Sequence, residues 1–147
     1  MPHSKGGRTR HGGQALAEFA LILPVFMLIL GAVIQFGILF WGQNTLNQIV
    51  RDAGRYAATV PDCSAAAKAD IVAKTQEIAA QANLAGTVGA ITVTLPETGS
   101  DPTCPPASNA EVVWLSISVH ADVPVFFPLV GGGIDSSARF RMEPQTN

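Results

Sequence analysis

Polarity nearly disappears between Phe19 and Trp41, a stretch with no charged residue and with Gln35 as its one strongly polar side chain. As a helix it would be about 35 Å long, enough to cross a hydrocarbon core of about 30 Å with some tilt. Pro24 removes one backbone hydrogen bond there, which a membrane helix tolerates better than a soluble one. Trp41 puts an indole at the far end, where it suits an interface. Beyond it the apolar positions narrow to a stripe. Leu46, Ile49, Val50, Ala53, Ala57 and Val60 recur at three- and four-residue spacing, with Asn44, Asn47, Gln48, Arg51, Asp52 and Arg55 on the other face. The pattern predicts one helix from about Gln14 to Val60, stopped by Pro61, whose outer half packs on a globular part.

A second helix is expected over roughly residues 65–84, with Ser64 as its N-cap. Its apolar side is Ile71, Val72, Thr75, Ile78, Ala79 and Ala82; Asp70, Lys74, Glu77 and Gln81 are polar, with Asp70 and Lys74 one turn apart. The period then changes to two. Ile91, Val93 and Leu95 alternate with threonines, Val113 to Val119 with Trp114, Ser116, Ser118 and His120, and Ala138, Phe140 and Met142 with Ser137, Arg139 and Arg141. One polar face suits an antiparallel sheet covered on one side by helices. A loop rich in Pro, Gly, Ser and Asp, residues 96–110, separates the first two strands. An apolar loop, Pro124 to Val130 followed by Gly131, Gly132 and Gly133, separates the last two, and its prolines argue against a central strand. Phe126 and Phe127 either fold over the core or dip into a membrane surface or dock a partner. The expected class is α+β: a long N-terminal transmembrane-plus-amphipathic helix, a second helix and a small antiparallel sheet of about three strands.

Composition sharpens this picture. Charged residues are 14% of the chain against 48% hydrophobic, and the net charge of −2 gives no global field for nucleic acid. Residues 1–13 carry Lys5, Arg8 and Arg10 without an acid, so this end is expected to stay in the cytoplasm and the C-terminal part to cross. The chain then divides into a basic cytoplasmic leader (1–13), a transmembrane helix (14–42) and an extracytoplasmic α+β domain (43–147). A cleavable secretory signal fits poorly, since its apolar core runs 7–15 residues. Outside the cytoplasm Cys63 and Cys104 can pair, closing a loop of about 40 residues at a gain of roughly 4 kcal/mol; the alternative is two unpaired small hydrophobes.

The junction between tail and apolar run is the most informative segment. Gly12-Gly13-Gln14-Ala15-Leu16-Ala17-Glu18-Phe19 ends a glycine-rich basic leader and sets one acid just before the aromatic. At headgroup level Glu18 would simply be solvated; deeper, it is costly. Gly13, four residues, then Glu18-Phe19 looks like the processing site of type IV pilin-like proteins. The longer stretch from Gly13 to Pro24, together with Arg51-Asp52-Ala53-Gly54-Arg55-Tyr56-Ala57-Ala58, resembles the TadE/TadG-like family of minor pseudopilins of the Tad (Flp) pilus system. Ser136 to Glu143 resembles it more loosely.

The resemblance implies a pilin-like fold and cleavage by a prepilin peptidase after Gly13, with Gln14 as the new N-terminus. It implies that Glu18, beside Phe19, serves assembly by pairing with a neighbouring subunit's terminal amine. The implied partners are that peptidase, other pilin-like subunits, the Tad assembly machinery and the lipid bilayer; the implied place is the bacterial cytoplasmic membrane, with incorporation into a pilus open. The competing reading is an unprocessed single-pass protein whose outer domain binds a ligand. No phosphate-binding loop, nucleophile elbow or metal-ligand spacing is present in the sequence, and His120 with Asp122 reads as a solvated strand pair rather than a catalytic one. No enzymatic activity, metal, cofactor or nucleic-acid partner is expected.

Overall fold

The computed structural model describes residues 11–95, 113–126 and 131–142. Among them run helix α1 (His11–Ala58), helix α2 (Ala65–Gln81) and strands β1 (Thr87–Thr94), β2 (Trp114–Asp122) and β3 (Gly133–Arg141). The strands form one antiparallel sheet in the order β1-β2-β3. This is the α+β class expected: a long apolar N-terminal helix, a second helix and three strands.

The apolar stripe of α1 becomes the centre of the core. Leu46, Ile49, Val50, Ala53, Ala57 and Val60 are all buried. They meet Leu115, Ile117, Val119 and Ala121 of β2, whose intervening residues stay exposed or half-buried, as a one-sided sheet requires. Two glycines set how near helix and sheet come. A Cβ on Gly54 would collide with the Phe140 ring, and one on Gly42 would press on Val123 and Ile134. Polar groups close the same seam. Ser136 donates to Asn47 at 2.7 Å, and the Gln43 amide donates to the Asp135 carbonyl at 2.9 Å.

The turn into α2 is a relay of short side chains. Asp62 Oδ1 accepts from both the amide and the hydroxyl of Ser64, which hold its carboxyl below its ordinary pKa. Ser64 Oγ in turn accepts the Ala67 amide at 3.1 Å, as an N-cap should. Ala67, Ile71, Thr75 and Ala79 form the buried face, and Thr75 satisfies its hydroxyl on the Ile71 carbonyl. The pairing of Asp70 with Lys74 does not form: Lys74 bonds Glu77 at 2.8 Å, while Asp70 accepts the Tyr56 hydroxyl and so ties α2 to α1.

Helix α1 runs His11–Ala58 against the expected Gln14 to Val60, and three further boundaries differ from the sequence reading. Helix α2 stops at Gln81 because Ala82 turns to an extended conformation, which lets Leu84 pack against the core. Strand β1 starts at Thr87, and its register slips between Val88 and Ile91; the bulge hides the period of two around Gly89. Strand β3 begins at Gly133, opposite Asp122, within what reads as loop. Pairing to β2 supplies the ladder there and overrides the weak strand propensity of Gly133 and Asp135. Residues 96–110, Phe127 to Val130 and Cys104 lie outside the described residues.

Candidate functional site

The first fifth of α1 carries the junction that precedes the apolar run. Gly13, Gln14, Glu18 and Phe19 are all exposed, and Glu18 Oε1 accepts from Gln14 Nε2 at 3.1 Å, one turn away. The structure therefore brings Gln14 and Glu18 together on one helix face, clear of the folded core. A Cβ added at Gly13 meets nothing within 4 Å.

Above the junction the helix stays bare. Its most apolar 18 residues have a mean hydropathy of 2.5, and only 6% of that stretch is buried within the protein. A core helix of a soluble protein would be covered; this one presents Leu21, Ile22, Phe26, Leu28, Val33 and Phe36 to its surroundings. One residue breaks the pattern. Gln35 is 2% exposed, its Nε2 donates to the Pro124 carbonyl at 3.2 Å, and its Oε1 accepts the Phe126 amide at 2.8 Å. The sequence marked Gln35 as anomalous; its partner lies 89 residues on and has no local signature.

A second polar group sits at the opposite side of the sheet. His120 Nδ1 lies 2.8 Å from Asp135 Oδ1, and Nε2 is 3.7 Å from Asp122 Oδ1. The Asp135 bond holds the imidazole above the usual histidine pKa; partial burial works against it, and the charges of Asp135 and Asp122 add to it. Asp135 was missed from sequence because only the β2–β3 register sets it opposite His120. A group whose pKa rises on folding contributes stability that is full below its unfolded value and lost as pH rises through the folded one. We expect an NMR titration to give His120 a pKa above that of a model histidine, and Asp135→Asn to bring it down. A midpoint at the unperturbed value in the wild-type chain would contradict the pairing.

Elsewhere the chemistry is sparse. Cys63 Sγ lies 3.7 Å from Met142 Sδ. A cavity of about 490 Å³ between the end of α2 and β1 is lined by Gln76, apolar residues and glycines, with no ionisable side chain. Among the described residues no group of three or more His, Cys, Asp or Glu is arranged to hold a metal ion.

These features define a class: an α+β protein with, among the described residues, one helix long and apolar enough to cross a membrane and a polar junction at one end of that helix. Within that class, residues 13–55 match the model of the TadE-like protein family. The match covers under a third of the chain, from the glycine of the junction to the amphipathic stripe, and is consistent with a TadE-like protein of the Tad pilus system. No curated protein matches the chain, and no solved structure does. Together, the apolar helix and this match point to a single-pass membrane protein associated with a pilus.

Proposed function

We propose that this chain is a minor pseudopilin-like structural and assembly subunit of a Tad-type pilus or related secretion apparatus. The observation that carries the reading is the TadE-like match, which starts at Gly13 and runs along the bare apolar helix. The TadE-like family is a pilus structural component rather than an enzyme family. In this reading residues 1–13 are a basic leader in the cytoplasm, 14–42 cross the membrane, and 43–147 form the extracytoplasmic domain. A prepilin peptidase cuts after Gly13, and Gln14 becomes the N-terminus. Cys63 and Cys104 pair outside the cytoplasm.

Glu18 then has a physical role. In low dielectric a carboxylate and an amine attract strongly, and either alone is penalised, so Glu18 favours a subunit position that supplies a neighbour's terminal amine. The exposure of Glu18, whose described hydrogen bond is to Gln14 alone, supports a role in assembly rather than folding. Glu18→Ala is expected to leave the outer domain folded and the chain in the membrane, but to lose co-purification with the Tad machinery from native membranes. Wild-type recovery of partners by that variant overturns the role. Intact mass of the same purified wild-type protein is expected to begin at Gln14 and, before reduction, to be two hydrogens lighter than the dithiol. A mass that begins at Met1 or Pro2 favours the unprocessed alternative.

A further inference from the structure

Gln35 accounts for a segment that the assembly reading leaves unexplained. After β2 the chain turns through Pro124, Val125 and Phe126, and this turn does not fold over the core. Val123 is buried, but Phe126 is 66% exposed and Val125 is exposed too. The turn instead descends along α1. Phe126 borders an apolar groove of about 430 Å³ whose other walls are Met27, Leu30, Gly31 and Ile34. Those helix residues belong to the bare apolar stretch, so the turn extends that surface without a break.

Depth follows from helix geometry. A hydrocarbon slab of about 30 Å that starts at Phe19 ends near residue 39, which puts Gln35 roughly 6 Å inside its outer edge. Backbone N–H and C=O groups cannot be left unpaired at that depth, so irregular backbone enters hydrocarbon only where protein satisfies it. Gln35 pairs two of the turn's backbone groups, one from each end of its amide, donating to the Pro124 carbonyl and accepting the Phe126 amide. The exchange is mutual, because the glutamine is itself costly in lipid unless it is paired. Proline at 124 contributes by lacking an N–H that would need a partner.

We propose that the Pro124–Phe126 turn is a second membrane anchor, with Val125 and Phe126 among lipid acyl chains beside α1 and Gln35 as the clamp that makes the immersion tolerable. The proposal rests on the reading of residues 14–42 as the membrane span. Its occupant is lipid rather than a second copy, because the patch is continuous with a helix surface that hydrocarbon is long enough to cover. The anchor would fix the outer domain against the membrane and remove its freedom to swing about the helix.

Tryptophan fluorescence tests it in the full-length chain. The native tryptophans are Trp41 and Trp114. With both changed to Phe, one probe is installed by Phe126→Trp and, in a separate protein, by Leu30→Trp. A third protein keeps Trp114 alone as an aqueous reference on the exposed sheet face. Each is reconstituted at low protein density into phosphatidylcholine vesicles with plain or acyl-brominated lipid. The Phe126→Trp probe is expected to be quenched by bromolipid to a degree near that of Leu30→Trp and to be shielded from iodide, whereas Trp114 is quenched by iodide only. Adding Gln35→Leu is expected to weaken bromolipid quenching at position 126 and leave it unchanged at position 30. If the Phe126→Trp probe answers to iodide and not to bromolipid while Leu30→Trp is quenched by bromolipid, the anchor is wrong and the membrane span stands. If neither probe feels bromolipid, the span itself is wrong. A probe at 126 that is shielded from both quenchers is covered by protein, which overturns lipid as the occupant. Unchanged quenching with Gln35→Leu overturns the clamp.

Discussion

Gly13→Leu is expected to leave the chain uncut, so that intact mass of the membrane-extracted protein retains residues 1–13 and the variant is absent from assembled complexes. In the proposed reading the effect is close to all-or-none, because an uncut leader would keep Lys5, Arg8 and Arg10 on the cytoplasmic face and deny a neighbour's Glu18 the amine of Gln14. Removing one partner of a charge pair in low dielectric leaves the other uncompensated, which is far more costly than losing a solvated pair. The variant is a clean one. A side chain added at Gly13 meets nothing within 4 Å, and the residue is exposed far from the core, so failure to cleave cannot be attributed to a misfolded outer domain. Leucine also favours helix over glycine by somewhat under 1 kcal/mol, so α1 does not suffer. Normal cleavage of Gly13→Leu would remove Gly13 from the processing site.

Ile117→Ala is the second large effect, and it falls on the fold rather than the junction. Ile117 is fully buried on the middle strand, with Val93 opposite it on β1 and Ala138 on β3. It faces the buried stripe of α1, where Ala53 and Ala57 bury little area each. Truncation leaves a cavity that the three paired strands cannot collapse, and such losses run about 2–5 kcal/mol. That is a large share of the stability of a domain this small. Urea unfolding of the full chain in micelles, followed by near-ultraviolet circular dichroism, should show a lower midpoint, with the unfolding free energy (midpoint times slope) reduced by about 2–5 kcal/mol. The helical signal from the span should persist, because its apolar residues are held by the surrounding hydrocarbon rather than by the sheet. A midpoint within error of wild type would mean that the sheet does not pack on α1 as described.

The two variants act on different physics, and that separation follows the chain. The helical course from Gly13 to Ala57 was legible as sequence. A helix repeats within itself every few residues, so the change from an all-round apolar surface to a one-sided stripe identifies span and core face without reference to the rest of the chain. The stripe from Leu46 to Val60 is buried residue for residue. Ser64 was legible as a cap for the same reason: it bonds three residues away.

What the sequence left open was decided by pairs that only strand register or long-range packing could create. The bulge before Ile91 and the early start of β3 exist because β2 offers hydrogen bonds to residues with little strand propensity of their own. Asp70 turned to Tyr56 rather than to Lys74 one turn away, since docking of the two helices put the hydroxyl within reach. His120 met Asp135 only across the β2–β3 ladder. Gln35 looked like an isolated polar defect in an apolar run until the chain returned 89 residues later to occupy both ends of its amide. Local periodicity thus settled which residues of α1 form its bare apolar stretch and which face the core, because that sorting depends on the nearest few neighbours. The polar partners of Gln35, Asp70 and His120 depended on where distant segments came to rest, and only the tertiary structure could assign them.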